Sequence, residues 1–153
     1  MQSLLQRLGL SLNTEKTKVK QLVGKTSFDF LSHTHLLWRG RLFLNISDKA
    51  HRRTKDELRR ITRRTWLNLD ALVEELNAYI RGARHYSRRV RRRTLSKLDR
   101  FVEERIARWW SRKHSQPQPA WSLVQKGALW RQHGLERWNL PRHLRPADSR
   151  GAT

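Results

Sequence analysis

Cysteine is absent from the 153 residues, which excludes a disulfide framework, a thiolate metal site and a cysteine nucleophile. Acidic residues are scarce, with 13 Asp and Glu against 34 Lys and Arg and a net charge of +21. Such a surface repels itself until a polyanion neutralises it, so nucleic acid is the first partner to expect and an anionic membrane surface the second. Long apolar runs are also missing. Leu4, Leu5, Leu8, Leu10 and Leu12 are interrupted by Gln6, Arg7 and Gly9, too short and broken for a membrane span or a secretory signal. A cytoplasmic chain with no membrane partner is the expectation.

Catalytic patterns are lacking as well. No Gly-rich phosphate loop, nucleophile elbow or metalloprotease helix occurs in the sequence. Glu74-Glu75 and Glu103-Glu104 fall inside helical patterns, where neighbours diverge by about 100° and cannot readily share a metal, so both pairs are expected on solvated faces. His33 and His35 point to one side of a strand but have no cysteine or carboxylate cluster to complete a ligand set. No catalytic residue and no metal ligand is therefore assigned.

The length suits one domain, or a small domain with a tail. Leu4, Leu5 and Leu8 with Gly9 suggest a short opening helix. Short apolar and β-branched stretches follow from Leu10 to Val23, and Phe28-Asp29-Phe30-Leu31 alternates like a half-buried strand. Leu36 to Ile46 reads as two strands about Arg39-Gly40-Arg41. After Ser47, a fitting N-cap, three basic helices are expected. The first runs to about Arg64 with Ala50, Thr54, Leu58 and Ile61 on a narrow stripe. The second follows Asn68 and carries Leu69, Leu72, Val73, Leu76, Tyr79 and Ile80 at the spacing of a buried face. The third starts near Thr94, with Leu95, Leu98, Phe101, Val102, Ile106 and Trp109 inward and Glu104 placed to pair with Arg108. Ser115 to Pro119 reads as a linker, Trp121 to Trp138 as an aromatic-rich segment, and the chain from Pro141 as disordered. The fold class is mainly α: an N-terminal α/β piece over residues 1–46, a three-helix basic bundle over 47–114, and a linker and tail over 115–153.

The densest chemical signal is Arg81, Arg84, Arg88, Arg89, Arg91, Arg92 and Arg93 around His85 and Tyr86. Guanidinium groups bind phosphate through two parallel hydrogen bonds and also stack on bases, so structured RNA fits this composition. Arg52, Arg53, Lys55, Arg59, Arg60, Arg63 and Arg64 give the first helix a second basic surface. These positions wrap most of the circumference, so some are expected to lie along the core instead. Trp66 and Trp109 are expected in the core, whereas Trp38, Trp121, Trp130 and Trp138 are not assigned.

Leu8 to Val19, followed by Phe28-Asp29-Phe30-Leu31, resembles the end of the palm domain of group II intron and related bacterial reverse transcriptases. Leu76-Asn77-Ala78-Tyr79-Ile80-Arg81-Gly82 with Tyr86, then Leu98 to Val102 and Trp109-Trp110, resembles the maturase-specific thumb of that family. The blocks span Ser3 to Lys113 in the family's order. The resemblance implies that Lys16 lies near an incoming nucleotide and that Phe28, Asp29, Phe30 and Leu31 belong to a primer grip, with Ser32-His33 where the family has Gly-Phe. It also implies that the catalytic aspartates would lie upstream of Met1, so the chain is expected to be a truncated or split descendant.

The implied function is binding of group II intron RNA to assist folding and splicing, without polymerase chemistry. The phosphate contacts would come from Arg59, Arg60, Arg63, Arg64 and the Arg81 to Arg93 run. No cofactor is expected in this chain, Mg2+ serving only the complete polymerase and the ribozyme. The rival from the enzyme class is part of an RNA-directed DNA polymerase whose catalytic portion is missing or supplied by a separate reverse-transcriptase chain, and a second rival is a decayed product that never folds.

Overall fold

A computed structural model describes residues 26–124 and 128–139. The opening helix expected at Leu4 to Gly9, the block through Lys16 and the tail from Pro141 onward lie outside these residues.

The alternating stretches form β1 (Thr26–Phe30), β2 (His33–Trp38) and β3 (Arg41–Ile46), an antiparallel sheet in sequence order. Each hairpin loop is two residues long, with Phe30 opposite His33 and Trp38 opposite Arg41. Leu31 and Ser32 have φ of 46° and 66°, and Arg39 and Gly40 have φ of 50° and 70°. Positive φ at both central residues is the pattern of a type I′ turn, whose twist matches the strands. Gly40 meets that demand without a side chain; Ser32 stands in the corresponding second position of the first loop and bears the strain.

The helical part follows the expected caps. In α1 (Asp48–Ile61) the Ser47 side chain accepts from the Ala50 N–H, and in α2 (Leu69–Ser87) Asn68 accepts from the Ala71 N–H at 2.7 Å. The second helix continues past its last core residue, Ile80, to Ser87, and α3 (Arg92–Lys113) begins two residues before Thr94. Leu58, Leu72, Leu76, Ile80, Leu98, Val102, Ile106 and Trp109 are fully buried and make the bundle core. No helix of the described residues is long and apolar enough to cross a membrane.

Beyond α3 the aromatic-rich segment packs onto this core. A 3-10 turn (Trp121–Leu123) and α4 (Ala128–Gln132) lead to Gly134, whose φ of 65° lets the chain turn back across the helices. Leu129, Leu135 and Trp138 are buried. Tyr79 meets Trp138 edge-on at 6.4 Å. Trp109 is in the core as expected, but Trp66 is not. It lies in the α1–α2 loop, 76% exposed, because flanking carbonyls on both sides are held by α3 and the ring is left outside. Glu103 is likewise not on a solvated face: it is half-buried beside Arg137, and burial raises its pKa from its ordinary value. Glu75, at the other pair, meets Arg64.

Candidate nucleic-acid interface

Burial of apolar residues on three helices leaves the arginines three different environments. The first lies on α2, where Arg81 and Arg84 meet opposite oxygens of Glu136 at 2.8 and 2.9 Å. Glu136 belongs to a strap, Gly134 to Asn139, that crosses the bundle. Asn77 holds the strap as a neighbouring strand would: its amide donates to Gly134 O at 3.0 Å and its Oδ1 accepts from Glu136 N–H at 2.7 Å. Asp99 on α3 accepts from the N–H groups of Trp138 and Asn139 at 2.7 and 3.1 Å. Burial nevertheless pushes the Asp99 pKa up, with the two N–H groups and Arg137 acting against it. Asn77, Tyr79, Arg81 and Arg84 on α2 therefore build a dock for the strap. Arg81 and Arg84, expected to contact RNA, each have a carboxylate already.

The second environment is the elbow between α2 and α3, which carries Arg88, Arg89, Arg91, Arg92 and Arg93, all exposed. The sheet leans on this elbow. Arg91 donates its backbone N–H to Leu44 O at 3.2 Å and lays its guanidinium 4.0 Å over the Phe43 ring. His33 Nε2 reaches Tyr86 O at 2.9 Å, and His35 stacks on Phe28 at 4.9 Å, so both histidines are engaged within the fold. Phe28, Asp29 and Phe30 sit in β1 and Leu31 in the turn, with Asp29 accepting from the Thr34 hydroxyl at 2.6 Å. No group of three or more potential metal ligands occurs among the described residues.

The third environment lies between α1 and α3. Arg59 pairs with Asp56 and Arg60 with Glu57 along α1, while Arg64 reaches across to both oxygens of Glu75 at 2.7 Å. The Arg60 hydrogen bond holds the Glu57 carboxyl below its ordinary pKa. Lys55 and Arg59 lie over the Phe101 ring, the snorkelling expected of a helix with charge on most of its circumference. Glu104 pairs with Arg108, as its spacing implies. Arg63, Arg105 and Arg112 have no carboxylate in ion-pair contact among the described residues. Arg105 donates to the Thr62 hydroxyl at 3.0 Å and Arg112 to Thr62 O at 2.7 Å. Burial, then the fields of Arg112, Arg108, Arg59 and Arg63, lowers the Arg105 pKa from its ordinary value.

Like charges crowd this surface, and phosphate oxygens placed there would relieve the repulsion. Of its members only Arg59 and Arg63 were assigned from the sequence. Arg105, Arg108 and Arg112 follow one another at helical spacing and were readable as a face of α3. That this face lies beside Arg63 was not, since a helix pattern carries no information about its neighbour.

The family model described as the group II intron, maturase-specific domain, matches residues 51–130. That span takes in nearly all of α1, the whole of α2 and α3, and the start of α4. No curated protein and no solved structure matches the chain.

Proposed function

Given that the chain belongs to the group II intron maturase-specific domain family, we propose that it binds group II intron RNA and favours the folded, splicing-competent form. The family membership carries this reading, and the unneutralised arginines between α1 and α3 supply its physical means. Assistance of this kind needs only preferential affinity for folded over misfolded RNA. The two transesterifications remain the work of the ribozyme, and this chain contributes phosphate contacts at fixed spacing. The bundle core sets that spacing, because α1 and α3 cannot shift without disturbing Leu58, Ile106 and Trp109.

A group II intron transcript, incubated at limiting Mg2+ with and without the purified chain, tests the reading. Faster appearance of ligated exons is expected with the chain; tight binding without acceleration would remove the splicing role. Primer extension on an RNA template separates the polymerase alternative. No template-dependent incorporation is expected from this chain alone, since the sequence offers no catalytic carboxylate pair to hold two metal ions.

A further inference from the structure

Trp66 is the most exposed of the large apolar side chains described, at 76%. A ring on a slack loop would fold back onto apolar neighbours. This loop is not slack. Arg64 O accepts from Trp109 Nε1 at 2.9 Å, and Lys113 Nζ donates to both Thr65 O at 3.1 Å and Leu67 O at 2.6 Å. The backbone is therefore fastened on each side of Trp66 by the last turns of α3, with the indole directed away from the core.

The groups that fasten the loop also charge its surroundings. Arg105 and Arg112 bind Thr62 four residues before Trp66, Arg63 precedes it by three, and Lys113 grips its two neighbours. Among the described residues no carboxylate forms an ion pair with these four cations. An apolar protein partner covering the ring would bury guanidiniums without counter-charge, which is costly. A folded duplex offers phosphates but no free base face. An unpaired nucleotide offers both: its base stacks on an indole and its flanking phosphates meet guanidinium groups.

We propose that Trp66 is a stacking post for an unpaired nucleobase of the bound RNA, with the phosphates on either side held by Arg63, Arg105 and Arg112. This rests on the RNA-binding reading above and narrows it, from phosphate backbone in general to an unpaired nucleotide at the α1–α2 loop.

The test compares a hairpin RNA bearing an unpaired loop with a fully paired RNA of equal length. The parent chain should bind both. Trp66→Ala and Trp66→Leu should weaken binding of the looped RNA by about 5- to 150-fold, the usual loss of one base–aromatic stack, and leave duplex binding unchanged. Trp66→Phe, which keeps a π face, should retain most of the affinity. The salt slope should not change, because no phosphate contact is lost. Melting temperatures should stay close to the parent's, since the residue is 76% exposed. The stacking post is overturned if Trp66→Leu binds looped RNA like the parent, if looped and paired RNA lose affinity equally, or if the variants unfold. It is also overturned if the parent is a dimer that Trp66→Ala makes monomeric, for the ring would then cover a second copy. A parent that binds neither RNA overturns the proposed function itself, a result distinct from these.

Discussion

Arg81 and Arg84 on α2 and Arg63, Arg105 and Arg112 between α1 and α3 are the same residue type in the same charged molecule, yet they do different work. The first two share Glu136 and so fasten the strap; Arg105 and Arg112 meet the hydroxyl and carbonyl of Thr62, and neither they nor Arg63 pairs with a carboxylate among the described residues. With 13 acidic residues for 34 basic ones, carboxylates cannot pair with the cations one for one. Where the few carboxylates fall then decides which arginines are tied into the fold and which, on the proposed function, are left for phosphates.

The largest effect expected breaks both regions together. Leu76 is fully buried where α2 meets the core, and Leu76→Ala should cost about 2 to 5 kcal/mol through lost transfer energy and a cavity, read as a lowered melting temperature. Asp99→Ala should act on the strap side alone. It takes the acceptor from the buried Trp138 N–H and the part-buried Asn139 N–H, at about 1 to 3 kcal/mol for the buried donor. Hydrogen exchange should speed up at those two amides while the amides of α1 stay protected.

Glu136→Gln sharpens the comparison by converting the first kind of arginine into the second. The ion pairs it removes are partly exposed, so stability should fall by no more than about 1 kcal/mol. RNA binding should strengthen at low salt, with a salt slope steeper by up to about two as Arg81 and Arg84 become available to phosphates. A slope no steeper than the parent's would mean that these arginines lie away from the RNA. The smallest effect concerns the sheet: Ser32→Gly should raise stability by up to about 1 kcal/mol, because φ of 66° suits glycine.

Local features were legible in the sequence and distant ones were not. The apolar period of Leu69 to Ile80, the caps Ser47 and Asn68, and the turn at Gly40 are each written within a few residues, and the structure has them all. Trp66 and Trp138 lie outside any long period, so hydrophobicity alone could not separate the exposed ring from the buried one. The strap depends on Asn77 meeting Gly134 and Asp99 meeting Trp138, contacts 57 and 39 residues apart. In the same way Arg105 and Arg112 gain their meaning from Thr62, which belongs to another element.

The central claim is that arginines without carboxylate partners bind RNA phosphates, and the salt dependence of binding tests it most directly. For the parent chain and structured intron RNA, log Kobs should fall linearly with log salt. Arg63→Ala should reduce that slope by about one unit, with folding changed by no more than about 0.5 kcal/mol. A flat response in the parent, or a slope in Arg63→Ala equal to the parent's, would contradict the account.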